Sequence, residues 1–240
     1  MKKSGFVLFS AALIGLSAAA KDLVAEEHYV TPLEIAIAAP IQVPPTSWNV
    51  YGLRYGVFYA ASHKVIGLDL GLVGFCRDKM TGVAVQAANW VEGDVTGIQI
   101  GALGNVVGGN TSGVQIGGLI DWNKGAFGGL QIAPVNFNGS FDGVQFGGLN
   151  WNKSLSRGLE IGVANVNVGE LRGCAIGAFN YAETMSGVQL GALNIVAQSG
   201  RGVQLGLVNA AESFEGLQIG ALNIIGNAEI PILPVVNGRF

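Results

Sequence analysis

The stretch Gly187-Val188-Gln189-Leu190-Gly191-Ala192-Leu193-Asn194 is one copy of a pattern that recurs through most of the chain. Successive copies are spaced by about 15 residues, with a variation of about one residue. They begin at Gly52, Gly67, Gly82, Gly97, Gly113, Gly129, Gly143, Gly158, Gly173, Gly187, Gly202 and Gly216. A short, regular repeat predicts a fold made of stacked units, rather than a fold organised around one site.

Within each copy, polar and apolar residues alternate after the leading glycine, which we number position one. Positions two and four are apolar, as in Val188 and Leu190, and position three is usually glutamine, as in Gln189. This alternation is typical of a β-strand with one buried face. We therefore expect positions two and four to face the core and the glutamine column to face solvent.

The alternation breaks at position five, where glycine is common, as in Gly191. Leucine then recurs at position seven and asparagine at position eight, as in Leu193 and Asn194. A bend at the glycine would return the leucine to the same buried face. Each unit is thus predicted to be two short strands with a corner between them, closed by a short polar turn.

The pattern predicts an all-β fold, specifically a parallel β-solenoid of about twelve 15-residue repeats with N- and C-terminal caps. In a solenoid each column stacks on itself about every 4.8 Å, so the Asn and Gln columns can form amide ladders along the axis. The alternative is an outer-membrane up-and-down β-barrel, which aromatic residues near strand ends and the terminal Phe240 would suit. Membrane-spanning strands need about 9–11 residues, however, and here the alternation breaks after four.

The first 20 residues have the features of a secretory signal peptide. Lys2 and Lys3 precede an apolar run over residues 6–16, and Ala18-Ala19-Ala20 offers an Ala-x-Ala cleavage pattern. The apolar run is shorter than the roughly 20 residues that a membrane-spanning helix needs. We predict cleavage after Ala20 and a location outside the cytoplasm.

The remaining chain divides into three parts. Residues 21–48 are predicted to form an N-terminal cap strand and a proline-containing linker, which would cover the open end of the first repeat. Residues 49–226 are the repeat domain. Residues 227–240 form a C-terminal segment, where Pro231 and Pro234 disfavour a central strand.

Composition gives little support to catalysis or nucleic-acid binding. Charged residues make up 12% of the chain and the net charge is -3, without a basic cluster for nucleic acid. His28 and His63 are the two histidines, and we expect both to be ordinary surface residues. We predict no catalytic residue, no metal site and no cofactor. The carboxylates in the closing turns are expected to form a solvated edge: Asp94, Asp142, Glu170, Glu183 and Glu212.

Aromatic residues and cysteines suggest two further features. Trp90, Trp151 and Tyr181 share position nine, where they would pack in the coil or at a corner, or stack on sugars if exposed. Cys76 and Cys174 would lie about seven coils apart in a solenoid, too far for a disulfide, which needs Cα atoms within about 7 Å. We expect two free thiols, with Cys174 buried.

The repeat motif resembles that of the bacterial surface repeat-containing proteins of spirochaetes and other Gram-negative groups. The likeness rests on the Gly-x-Gln-x-Gly motif at Gly113, Gly143 and Gly216, and on the opening segments 50–56 and 65–71. It covers roughly residues 32–240. The resemblance implies a cell-surface or outer-membrane location without an established activity.

From these features we expect an exported bacterial cell-surface repeat protein with a structural or adhesive binding role and no catalysis. Its partner would be an unidentified surface or matrix component. The alternative function is that of an outer-membrane β-barrel, acting as a channel or scaffold.

Overall fold

The computed structural model describes residues 28–239, so the predicted signal peptide lies outside the described residues. Within this range the chain is all-β and forms a parallel β-solenoid of about 11 turns. The predicted solenoid is confirmed, and the alternative barrel is wrong. The strands are β1 (Val30–Ala38), β2 (Ile41–Val43), β3 (Asn49–Ser62), β4 (Lys64–Cys76), β5 (Met80–Val91), β6 (Val95–Val107), β7 (Thr111–Gly117), β8 (Ile120–Ile132), β9 (Val135–Asn152), β10 (Ser156–Ile176), β11 (Phe179–Ile225) and β12 (Ile232–Arg239).

Each coil pairs in parallel with the coils before and after it, in the register that the repeat predicts. Gly52 pairs with Gly67, Gly67 with Gly82, and Gly82 with Gly97. The equivalent glycines remain register partners through Gly173 and Gly187. Columns of the sequence repeat are therefore columns in space.

The leading glycines are required by the backbone itself. All twelve have positive φ, from +112° at Gly158 to +152° at Gly187, a region that side chains strongly disfavour. A Cβ atom added at Gly129 would lie 2.0 Å from the carbonyl oxygen of Gly113 in the preceding coil. The glycine at position one thus allows successive coils to approach closely.

Both ends of the solenoid carry additional strands. At the N-terminus, β1 pairs in parallel with β3 and antiparallel with β2, so β2 is the outermost strand. At the C-terminus, β12 pairs antiparallel with the last coil of β11. Pro234 lies in this terminal strand, consistent with the expectation that the segment does not form a central strand.

The predicted orientation of the repeat is wrong, because the glutamine column faces the interior. Gln99, Gln115 and Gln189 have no exposed surface, whereas Ile100, Ile116 and Ile219 at position four are 36–39% exposed. The asparagines at position eight are also buried. The bend at positions five and six does exist, and it brings positions three and eight to the same inner side.

The apolar part of the core comes mainly from residues beside the closing turn, two positions before the leading glycine and at position ten. One cluster near the C-terminal end includes Leu171, Met185 and Phe214. A second, near the N-terminal end, includes Val65, Met80 and Val91. Between these clusters, position ten is occupied by asparagine. The column consists of Asn138, Asn152 and Asn167, together with Asn123, which one extra residue in its copy shifts to position eleven and which is the register partner of Asn138. The side of the interior next to the closing turns is therefore apolar towards each end and rich in amides in the middle, while the amide columns at positions three and eight continue into the C-terminal coils.

Candidate functional surface

The buried glutamines form side-chain ladders along the solenoid axis. Gln115 Nε2 donates to Gln99 Oε1 at 2.8 Å, and Gln145 donates in the same way to Gln131. A second ladder joins Gln218 to Gln204 and Gln204 to Gln189. A buried amide must be hydrogen-bonded to avoid a desolvation penalty, and stacking identical residues meets that need within each ladder. At the ladder ends one amide atom stays unpaired: Gln99 Nε2, Gln189 Nε2 and Gln218 Oε1.

The asparagine ladder at position eight also ties down the corner of each coil. Asn150 Nδ2 donates to Asn165 Oδ1 at 2.7 Å and to the carbonyl oxygen of Ile161 at 3.2 Å. Asn194 makes the equivalent bonds to Asn209 and to the carbonyl of Leu205. The accepting carbonyl belongs to position four, where the strand ends at the corner. At Leu190 this carbonyl oxygen also accepts from the backbone N–H of Gly177 at 2.9 Å, and Asn180 Nδ2 adds a second hydrogen bond at 2.9 Å from inside the coil.

In the middle coils the two polar columns join into one network. Asn123 Nδ2 donates to Gln115 Oε1 at 2.7 Å, and Asn138 Nδ2 donates to Gln131 Oε1 at 2.9 Å. Glu160 replaces glutamine at position three and accepts hydrogen bonds from Ser156, Asn152 and Asn167. Burial raises the pKa of Glu160, although these donors oppose the shift. The three donors around Glu160 explain how a carboxyl group can be buried here as part of the interior network.

Near the N-terminal cap, charges replace amides in the same inner column. Glu34, Arg54 and Asp69 are successive register partners. Arg54 forms a bidentate pair with Asp69 at 2.7 and 2.5 Å, and it also donates to the carbonyl oxygen of Phe75. Burial alone would lower the pKa of Arg54, but the adjacent Asp69 raises it above its ordinary value. Burial raises the pKa of Glu34 to about 7. The ion pair therefore joins the first two coils, and Glu34 joins the cap strand to the first coil by accepting a hydrogen bond from Ser62 at 2.8 Å.

Exposed charge on the repeats is confined to the closing turns. Across positions one to ten of all twelve copies, the charged residues are Arg54, Asp69, Asp121 and Glu160, and all four are buried. The closing turns between residues 63 and 215 carry eight basic and eight acidic residues, none of them buried. These are Lys64, Arg77, Lys79, Lys124, Lys153, Arg157, Arg172 and Arg201, with Asp78, Glu92, Asp94, Asp142, Glu170, Glu183, Glu212 and Glu215. We call this side of the rod the charged edge.

The rest of the outer surface is an apolar wedge, formed by two flanks that meet at the corner. The first flank consists of positions two and four, the corner of positions five and six, and the second flank of positions seven and nine. Exposure is greatest around the corner, reaching 66% for Val163, 64% for Leu207 and 58% for Leu119. The flanks are partly exposed, as at Ile116. Because inward positions hold the amides, outward positions hold most of the aliphatic side chains.

The sequence-predicted polar candidates do not converge on a reactive site. The rings of His28 and His63 stack with centroids 3.6 Å apart, and burial lowers the pKa of His63. In the closing turns, Glu170 pairs with Arg172, and Glu183 accepts a hydrogen bond from Gln198. Among residues 28–239, no group of three His, Cys, Asp or Glu side chains could hold a metal ion. The histidines and the carboxylates of the closing turns therefore make local contacts at the protein surface.

The aromatic residues at position nine lie on the second flank, next to the charged edge. Trp90, Trp151 and Tyr181 are partly buried, and Trp122 is 40% exposed. Neighbouring rings pack beside one another, and the ring centroids of Phe137 and Trp151 are 6.4 Å apart. The column faces outward, so it is part of the surface as well as of the packing.

Both cysteines are free. Cys76 is buried, and burial raises the pKa of its thiol to about 12. Cys174 lies at position two on the first flank and is only partly buried, which corrects the expectation that it is a core residue. Position two faces outward in every coil, and Cys174 follows that rule.

The sequence contained a signal for the correct orientation. A solvent-facing column tolerates many charged residues, as the closing turns do, whereas positions three and eight are dominated by Gln and Asn. Uniform amides in stacked columns are typical of ladders shielded from water. In addition, Leu171, Met185 and Phe214 supply apolar side chains beside an otherwise polar turn, and all three are core residues.

Comparison of the chain with family models, with curated proteins and with solved structures gives no match. In the described part of the chain, no helix has the length and apolar character needed to cross a membrane.

Proposed function

We propose that the protein is an exported bacterial cell-surface repeat protein with a structural or adhesive binding role and no catalytic activity. The supporting observation is the regular surface of the rod, on which the charged edge and the apolar wedge continue from coil to coil. At roughly 4.8 Å per coil, about 11 turns give a rod of about 50 Å. Such a surface suits an extended partner better than a small molecule held in a pocket.

The interior supports a structural role for the polar side chains that might otherwise suggest chemistry. Glu160 is held by Ser156, Asn152 and Asn167, and Asp69 is held by Arg54. These carboxyls are buried inside the coil, where they stabilise the stack. The alternative function as a channel depended on the barrel, and the inner space of the solenoid is filled by amide and apolar side chains.

Export is part of this proposal and rests on the sequence features of residues 1–20 and on the resemblance to bacterial surface repeat proteins. The test is N-terminal sequencing of protein recovered from the cell envelope, together with protease treatment of intact cells. We expect a mature N-terminus at or near Lys21 and cleavage of the protein by externally added protease. Retention of Met1, or full protection in intact cells combined with cleavage after lysis, would contradict surface exposure.

A further inference from the structure

We propose that the apolar wedge inserts into the surface of a lipid bilayer, so that the rod lies in the membrane plane with its charged edge in water. This inference rests on the proposed function in that it names the partner of the exported rod. It follows from four features of the outer surface.

The first feature is the complete separation of exposed charge from exposed apolar surface. No exposed charged side chain occurs from position one to position ten in any copy, and all sixteen charges of the charged edge lie between position ten and the next leading glycine. An element that lies in a membrane interface has this polarity, with its apolar face buried about 5–10 Å into the boundary between headgroups and acyl chains. The β-solenoid presents such a face along about 11 turns.

The second feature is the order of side chains from the corner to the charged edge. Val163 and Leu207 near the tip are aliphatic and strongly exposed. Trp90, Trp151 and Tyr181 lie at position nine, just before the charged closing turn. Trp122 belongs to the same column, because it is the register partner of Phe137 at position nine. Tryptophan and tyrosine favour the headgroup level of a membrane, because each ring combines an apolar body with a polar group. This order matches increasing depth in a bilayer from the charged edge to the corner.

The third feature is the satisfaction of backbone groups at the corner. Unpaired carbonyl groups are costly in hydrocarbon, where water cannot serve as a donor. The carbonyl oxygens of Ile161, Leu205 and Ile219 at position four accept hydrogen bonds from the buried asparagine ladder. Asparagine thus hydrogen-bonds these acceptors from inside the coil, which lowers the cost of placing this end of the first flank, next to the corner, in an apolar phase.

The fourth feature distinguishes lipid from a second copy of the chain. A sheet that packs face to face on one flank would leave the other flank and most of the corner in water. Acyl chains, in contrast, can surround both flanks and the corner together. The charged edge carries eight basic and eight acidic residues, so it has no net positive charge that would attract anionic headgroups. Membrane binding is therefore driven by the apolar wedge. We therefore expect binding to neutral lipid with little dependence on salt.

The test is flotation of the purified protein with vesicles of phosphatidylcholine alone, at low and high salt. The complete sequence is expressed so that the cell carries out any processing, and all variants share the resulting N-terminus. The wedge variant carries Val163→Glu and Leu207→Glu. The matched control carries Ser154→Glu and Ser199→Glu, which place the same charges at exposed positions in closing turns.

We expect the unmodified protein and the control to float with vesicles, with partition coefficients within about twofold of each other, and the wedge variant to lose about tenfold or more. Tryptophan fluorescence should shift to shorter wavelength on binding and be quenched by lipids brominated near the headgroup end of the acyl chain. Unfolding midpoints without lipid check that each variant is folded. Should a variant not fold, quenching of the unmodified protein still decides the question.

Failure of the unmodified protein to float, or equal loss in both variants, would overturn the proposal. Sedimentation of the same samples detects a second copy: self-association that the wedge variant abolishes, without vesicle binding, would assign the wedge to a dimer instead. Vesicle binding by a protein that is never exported would overturn the proposed function alone. Surface exposure without vesicle binding would overturn only the lipid partner.

Discussion

Asp121 is the register partner of Asn136 in the asparagine ladder, and Asp121 Oδ2 and Asn136 Oδ1 are both buried without a hydrogen-bond partner. At this step of the ladder a carboxyl replaces the amide that donates elsewhere. Asn105 Nδ2 donates to Asp121 Oδ1 at 2.7 Å, so the preceding step is intact. A protonated Asp121 would supply the missing donor to Asn136. Burial raises the pKa of Asp121 to about 7, which favours that protonated form.

We predict that Asp121→Asn stabilises the protein above pH 7. The folded-state pKa of Asp121 exceeds its ordinary value of 3.8, so the folded state holds the proton more tightly than the unfolded state. Its contribution to the free energy of unfolding is therefore greatest below pH 3.8 and declines as pH rises through about 7. Asparagine supplies the donor at every pH, and the gain at pH 8 should be on the order of a few kcal/mol.

Denaturant unfolding of both proteins between pH 4 and 8.5 measures this effect. Glu34 and Glu160 also have raised pKa values and remain in both proteins, so the difference between the two curves isolates Asp121. A difference in stability that is constant over this range would refute the assignment of the proton to Asp121.

The reversed orientation of the strands predicts that a charge is tolerated at position four and not at position three. Gln115→Glu places a carboxylate beside the oxygens of Gln99 and Asn123, where Gln115 now donates, and should cost about 2–4 kcal/mol. Ile116→Glu changes the adjacent residue, which is 37% exposed, and should cost about 1 kcal/mol. Thermal unfolding at pH 7.5 without lipid compares the two, and a larger loss for Ile116→Glu would restore the orientation expected from the sequence.

The buried ion pair predicts strong coupling between Arg54 and Asp69. Arg54→Met leaves Asp69 and Glu34 buried without their cation and should lower the free energy of unfolding by about 3–5 kcal/mol. The double variant Arg54→Met with Asp69→Leu removes both charges of the pair and should recover part of that loss. A double-mutant cycle measured by denaturant unfolding gives the coupling free energy, and additive losses would show that the pair does not act as a unit.

Two adjacent glycines in the same coil test the backbone requirement at position one. Gly129→Ala introduces a Cβ at φ +128°, 2.0 Å from a backbone oxygen, and should cost about 2 kcal/mol or more. At Gly128 the nearest atom to a new Cβ is 3.9 Å away, so Gly128→Ala should change stability by no more than about 0.5 kcal/mol. Thermal unfolding compares the two variants, and equal losses would mean that the close approach of coils does not restrict position one.

The two thiols should differ in reactivity in the folded protein. Cys76 is fully buried, and the raised pKa of its thiol, about 12, keeps it protonated, so alkylation should wait for unfolding. Cys174 is partly exposed on the first flank and should react first, although burial also raises its pKa. Mass spectrometry of peptides after timed alkylation at pH 8 without reductant measures both rates. Faster modification of Cys76, or a bridge between the two cysteines, would contradict the solenoid packing.

The stacking of the chain could be predicted from the sequence alone. Twelve copies that begin with glycine at a nearly constant step establish the period. Residues at the same position of successive copies occupy the same environment in neighbouring coils, and Gly173 accordingly pairs with Gly187. The same columns predicted that Asn and Gln could form ladders, as Asn150 and Asn165 do.

Which side of the repeat faces the interior depends on contacts between coils, and these are seen in the folded chain. Alternation in a strand separates its two faces without telling which is buried, and the usual preference for apolar interiors pointed the wrong way at Gln189 and Leu190. A stacked amide finds a partner in each neighbouring coil, so Gln204 can donate to Gln189 inside the rod at 2.8 Å. That pairing depends on the three-dimensional neighbour, 15 residues away in the chain. It offsets the cost of burying the amide and leaves the aliphatic side chains on the surface.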